Sequence, residues 1–289
     1  MRHTKRTLGM LLVVSMLVAV SSVPAEIRGM RTDDSVYVLI LSIGEECDPV
    51  IIWELVGEWE GGGGKPLNPG GQARGDGRPD VAIDPSTGWP FVSWSYWAGT
   101  DYDVAYAEWE GEDWSEIQFI TSDIENQMDP RSHIDDSGMI RTVWWEAVQS
   151  GKIYLAVREP GETLWNNAQL IEQSGRRPSV VPDGDDLLVA FEEDGPQLTQ
   201  RVQVLTLLAG GGSQHVTLAT TDRVDPLDVI IHESQGVFWA DWKHSDDFFA
   251  YSVRGGDGWG DPVLVPWTDP SWVGQEEMRQ IIRSEVLNP

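Results

Sequence analysis

Five charged residues stand immediately before a proline at regular intervals: Arg78, Asp129, Arg177, Asp225 and Asp269. A repeating fold would carry them to one place. Carboxylates converging there could serve as acid and base on a glycosidic bond, or hold a cation. Equally, they could cap strand ends, with the arginines neutralising the aspartates. A second group pairs aromatic rings with acids. It comprises Tyr96 and Trp97 near Asp101 and Asp103, Trp145 beside Glu146, Glu192 to Asp194, and Asp241 beside Trp242. A flat ring covers the apolar C–H face of a sugar while carboxylates accept its hydroxyl hydrogen bonds. Packing between thin sheets is the competing role for tryptophan, and it suits Trp94, Trp114, Trp144, Trp165, Trp239 and Trp259. Trp97, Trp145 and Trp242 stand at or beyond strand ends. With Tyr96, Glu146, Glu192 and Asp241 they form the expected ligand-binding set, while Asp129, Asp225 and Glu192 are the candidates for catalysis.

Other chemistries find little support. The Asp-x-x-Gly turns and the Asp246-Asp247 pair do not match a twelve-residue calcium loop, and the histidines lack paired zinc spacing. The run from Gly61 to Gly64 lacks the Lys-Ser/Thr that completes a phosphate loop. Cys47 is the single cysteine, so no intramolecular disulfide can form. No metal and no cofactor is expected.

The elements that must position these residues recur. A unit of polar residue, proline and short apolar strand begins at Pro79, Pro130, Pro178, Pro226 and Pro270, with separations of 51, 48, 48 and 44 residues. Each unit continues through a polar turn, such as Asp84 to Gly88 or Asp135 to Gly138, into a strand rich in β-branched and aromatic residues. A third strand and a Gly-rich turn, often ending in Trp, lead to a fourth. Trp114, Trp165 and Trp259 keep the same period, being 51 and 94 residues apart. Four-stranded units of 40 to 50 residues define β-propeller blades. The expected fold is therefore all-β: a five-bladed β-propeller with blades at about 76–125, 126–174, 175–222 and 223–268, and a first blade at about 30–75. That first blade would borrow a strand from 269–274, so that pairing of the amino- and carboxyl-terminal segments closes the ring and removes its open edges. An open or larger ring completed by a second chain is the alternative.

The order of strand, Asp-x-x-Gly turn, strand ending in Trp, strand and Gly-x-x-Trp turn resembles the Asp-box (BNR) repeat family of sialidase-like β-propellers. The matching turns are Gly111-Glu112-Asp113-Trp114 and Gly256-Asp257-Gly258-Trp259, while Gly161 to Trp165 is one residue longer. The boxes are degenerate: Trp109 and Arg254 stand where the family has its Asp. The resemblance implies the propeller fold over about residues 76–267. It does not imply sialidase activity, because the Arg triad and the Tyr–Glu pair of that family find no match.

The amino terminus has the plan of a secretory signal peptide. Arg2, Lys5 and Arg6 precede a predominantly apolar run of 13 residues, Leu8 to Val20, and Val23 and Ala25 fit a cleavage site. Cleavage after Ala25 would leave 26–289 as one domain, secreted or periplasmic, without stable membrane insertion; the same run could instead be an uncleaved anchor. The chain has 47 acidic and 20 basic residues, a net charge of −27, and loss of the leader would make it −30. Such a chain repels nucleic-acid phosphates. What remains is a monomeric binding module for carbohydrate or an extracellular protein, with a glycoside hydrolase or a protein-docking scaffold as alternatives.

Overall fold

The second strand of each repeat is apolar on both faces, which suits a strand covered from both sides. In Pro90–Trp97 the first six residues are buried, and in Asp186–Asp194 the run from Leu187 to Glu192 is buried without a break. The outermost strands, such as Gln169–Glu172, are largely exposed. These gradients are what stacked sheets require.

The computed structural model describes residues 25–31, 36–43, 50–55, 65–66, 77–110, 114–222, 227–267 and 272–287, with side chains within 78–267 and 278–287. Five antiparallel sheets follow one another along the chain. Sheet one holds β1 (Ala25–Arg31), β2 (Val36–Ile43), β3 (Val50–Leu55) and β4 (Lys65–Pro66). Sheet two holds β5 (Gly77–Ile83), β6 (Pro90–Trp97), β7 (Tyr102–Glu108) and β8 (Gln118–Phe119). Sheet three holds β9 (Gln127–Ile134), β10 (Ile140–Glu146), β11 (Lys152–Arg158) and β12 (Gln169–Glu172). Sheet four holds β13 (Arg176–Asp183), β14 (Asp186–Asp194), β15 (Thr199–Leu207) and β16 (Ser213–Asp222). Sheet five holds β17 (Ile230–Ser234), β18 (Val237–Lys243) and β19 (Phe248–Gly255), with β20 (Gly258–Trp259) and β21 (Val263–Pro266) both on β19.

Apolar layers join consecutive sheets. Ala82, Phe91 and Tyr106 of sheet two meet Ile134 and Ile140 of sheet three, and Val143 and Ile153 meet Val180, Val189 and Phe191 of sheet four. Leu188 and Val204 of sheet four meet Leu227 and Val229, ahead of sheet five, and Trp242 of sheet five. The polar turns between first and second strands are held by their aspartates. Asp84 accepts from the Ser86 amide at 2.8 Å and the Thr87 hydroxyl at 2.9 Å, and Asp135 accepts from the Ser137 amide at 2.9 Å and Arg141 at 2.7 Å.

Closure of the first sheet differs from the expectation. Its first strand is β1, paired with β2 from Ala25↔Ile43 to Arg31↔Tyr37, so the sheet is complete without the carboxyl-terminal segment. Trp272 and Val273, expected in that strand, begin the helix α1 (Trp272–Leu287). A short apolar stretch does not distinguish strand from helix; here the polar-apolar period that follows decided for helix. The α1 helix touches β18 and β19 of sheet five and β1 of sheet one. Asp225, Asp269, Cys47 and the Gly61–Gly64 run lie outside the described residues.

Met278 and Ile282 bury α1 against Trp239, Phe249 and Trp267. Arg279 reaches further in, donating to Asp228 at 2.7 Å and to the fully buried Asp241 at 3.1 Å. Removing one partner of a buried pair leaves a charge without compensation and costs about 3–5 kcal/mol. Arg279→Ala should therefore lower the unfolding free energy by about that amount, while Arg283→Ala, on the exposed side of α1, should change it by under about 0.5 kcal/mol. Equal denaturation midpoints for the two variants would refute a structural role for the helix.

Candidate functional site

Three first strands, and the segment just ahead of a fourth, share one backbone departure. Arg78, Asp129, Arg177 and Asp228 have φ of 48°, 52°, 49° and 51°, the left-handed region that residues other than glycine rarely adopt. In the first three the ladder register shifts beside that residue, as in a bulge. A bulge re-aims a side chain. These four side chains, with Pro130, Arg131 and Val229, line a small depression of about 10 Å3, room for no more than a water molecule, where the first strands meet.

The depression is filled by alternating charge. Asp129 lies 3.1 Å from Arg78 and 3.6 Å from Arg177. Arg177 also pairs with Glu192, which is fully buried and accepts from the Leu227 amide at 2.9 Å. Arg131 lies 2.9 Å from Asp80 and 3.7 Å from Asp228, linking sheets two, three and five. Asp228 in turn holds Arg279. Backbone donors are captured from sheet to sheet as well: Asp129 N–H by the Ser95 hydroxyl at 3.0 Å, Ser132 N–H by Asp80 at 2.8 Å and Ile231 N–H by Ser179 at 3.2 Å.

The residues expected to bind ligand divide into three groups. Trp145 is half-buried beside the depression, its indole N–H donating to Asp129 at 2.9 Å. Trp97 and Tyr96 lie at the same end of sheet two, Trp97 against Tyr102 at 4.9 Å and Tyr96 edge-on to Phe119 at 5.1 Å; both are half-buried. The third group is buried and partnered. Glu146 accepts from Lys152 at 2.7 Å and Tyr154 at 2.9 Å, and Asp241 is held by His232 at 2.7 Å and by Arg279.

Trp242 corrects one expectation. The expected likeness of position between Trp97, Trp145 and Trp242 does not hold. Counting from the left-handed residue and its cross-strand partners, Trp242 matches Trp94 and Trp144, while Trp145 matches Ser95, Glu192 and Lys243. Trp242 is completely buried between sheets four and five and has no face to offer a ligand. Of the catalytic candidates, Asp129 and Glu192 are brought together on the guanidinium of Arg177.

Arg131, Asp80, Asp228 and Arg279 were not anticipated. Asp228 had a signal: it follows Arg177 by 51 residues, the interval from Arg78 to Asp129, but Pro226 pointed to a residue three positions earlier. Arg279 lies outside the repeat and had none. Among the described residues no cluster of His, Cys, Asp and Glu is arranged to hold a metal, and no helix is long and apolar enough to cross a membrane.

Successive four-stranded antiparallel sheets that meet at their first strands define an all-β chain of the β-propeller kind. Solved structures agree on that class. The chain is similar to an exo-1,5-alpha-L-arabinanase from a bovine ruminal metagenomic library, with a TM-score of 0.51 and 12% identity over 84% of this chain and 97% of that one. It is also similar to a protein of unknown function from Dyadobacter fermentans (TM-score 0.51, 11% identity, 65% and 68% covered). A third is 1,3Gal43A, an exo-beta-1,3-galactanase from Clostridium thermocellum (TM-score 0.50, 14% identity, 83% of this chain and 60% of that one). At these identities the likeness is one of fold. No family model and no curated protein matches the chain.

Burial pushes the Glu192 carboxyl above its ordinary value of 4.5, against the pull of Arg177 and the Leu227 amide. A raised folded-state value contributes stability that is complete below the unfolded value and is lost as pH rises through the folded one. The unfolding free energy of the wild type, relative to Glu192→Gln, should therefore fall as pH rises from the ordinary value of 4.5 through the raised folded-state value. A difference that instead grows with pH would show that Arg177 outweighs burial.

Proposed function

We propose that this chain is an exported, monomeric five-bladed propeller that binds carbohydrate at the end of the ring where the left-handed residues converge. The observation that carries this reading is the Trp145 indole bonded to Asp129 at 2.9 Å beside the axial charges. A half-exposed ring fixed in this way loses little freedom on stacking against a sugar, and polar groups for hydroxyls stand next to it. Trp97 on the neighbouring sheet offers a second ring. The net charge of −27 disfavours anionic glycans, so neutral ones are the expected ligands. Arabinan and galactan, the substrates named for two similar structures, are the first to test.

Asp129 lies between two arginines and Glu192 is held by a third contact set, which suits structure and binding better than proton transfer. Hydrolysis is the second reading, because Arg177 holds both Asp129 and Glu192, two carboxyl groups on one guanidinium, and burial pushes the Glu192 carboxyl up.

Calorimetric titration with neutral oligosaccharides should show binding that weakens about five- to a hundredfold in Trp97→Ala, the loss of about 1–3 kcal/mol for a stacked ring, and less in Trp145→Phe, which keeps a ring but loses the hydrogen bond that fixes it. Their melting temperatures should stay near wild type, whereas Trp144→Ala should cost about 3–5 kcal/mol through the cavity it leaves. Unaltered affinity in both rim variants would remove the site. Turnover of chromogenic arabinosides or galactosides that disappears in Asp129→Asn or Glu192→Gln would establish the hydrolase instead.

A further inference from the structure

At the other end of β5 and β6 from the axial charges, a groove of about 450 Å3 runs between sheets two and three. Its floor is apolar, formed by Phe91, Ile134 and Ile140. One wall carries Trp89, which is 42% exposed. The groove is spanned by an ion pair: Arg158 of sheet three donates to both carboxylate oxygens of Glu108 of sheet two, one contact at 2.6 Å. The guanidinium lies over three rings, Phe91, Tyr106 and Trp165, at 5.8, 5.5 and 5.4 Å from their centroids.

We propose that this groove is a second saccharide-binding site, separate from the axial end, that takes one or two neutral sugar units. Its volume lies within the range of ligand pockets. The Arg158–Glu108 pair is rigid, because the stacked rings fix the guanidinium and the two-point contact fixes the carboxylate. Its Glu108 side stays 30% exposed, so it can offer a carboxylate and N–H groups to adjacent hydroxyls at fixed spacing. Trp89 supplies the flat apolar surface that a sugar ring covers. Charge decides against anionic ligands. Arg158 is already neutralised, and Asp84, Glu159 and Glu162 also line the groove. A uronic or sialic acid would meet net negative charge there, whereas a neutral glycoside meets none.

The test is saturation-transfer NMR with the methyl glycosides of arabinose, galactose, glucose, mannose and xylose. It uses the wild type, Trp89→Ala and Thr163→Trp, the latter filling the groove from an exposed rim position. At least one glycoside should bind the wild type, and both variants should weaken it at least fivefold while melting like the wild type. Should Trp89→Ala fail to fold, Thr163→Trp still decides the matter. Binding that persists in both variants, absence of binding by all five glycosides, or displacement of the glycoside by trilysine as the tighter ligand would overturn the proposal. A glycoside lost in Trp97→Ala but retained in both groove variants belongs to the axial end; that result refutes the groove and leaves the axial reading intact. The opposite pattern refutes the axial reading alone.

Discussion

One backbone departure, repeated four times, underlies the axial end: a left-handed residue at the bulge of each first strand, or just ahead of it in sheet five. Each such residue carries about 1–3 kcal/mol of strain, so the surrounding structure must over-determine it. The determinants are visible. The preceding sheet captures amides at or next to the bulge, through Ser95 for Asp129 and Glu192 for Leu227. The re-aimed side chains then find opposite charges from other sheets. Without the bulge, Arg78, Asp129 and Arg177 would follow the pleat and would not meet. The strain and the ion pairs therefore stand or fall together, and so does the position of Trp145, whose ring is held by one of those carboxylates.

The repeat was legible because proline and tryptophan serve the same purpose in each unit. Pro79, Pro130 and Pro178 follow the left-handed residue directly, and Trp94 and Trp144 fill the same inter-sheet position. Sheet five breaks the first rule: Val229, not a proline, follows Asp228, and the nearby Asp225-Pro226 mimics the pattern three residues early. That slip moved the expected axial residue and left Trp242 looking like a rim ring, when its register is that of Trp94 and Trp144. The seam was illegible for another reason. The apolar content of 270–273 resembles a strand, and the helix that claims Trp272 is decided by Met278, Ile282 and Arg279, residues whose partners come from sheet five. No local signal records a partner supplied by another element.

Charge is divided by depth. Arg131, Arg158, Arg177 and Arg279 are each mostly buried and paired with carboxylates, while 47 acids face 20 bases in the whole chain. The cations are thus committed to joints between sheets, and the excess of acid is left for the surface. Surface repulsion of this kind is screened over about 10 Å at 0.1 M salt, whereas the buried pairs are screened far less. Salt therefore relieves the outside of the molecule without loosening its joints, and the cohesion of the sheets is insulated from the surroundings that set its solubility.

The two ends of the sheets solve the same packing problem differently. At the end where the left-handed residues meet, side chains from sheets two, three and four and from the segment ahead of β17 crowd one small volume, and charge alternation fills it. At the other end sheets two and three stand apart, as twisted sheets that touch at one end do. Between sheets two and three the gap is bridged at one point by Arg158 and Glu108 and otherwise left open. A largely desolvated ion pair is a poor source of stability compared with apolar packing of the same volume. Its presence across a groove in which Glu108 stays partly exposed is explained better by a polar ligand that uses its remaining hydrogen-bonding capacity than by a need for cohesion that Phe91, Ile134 and Ile140 already meet.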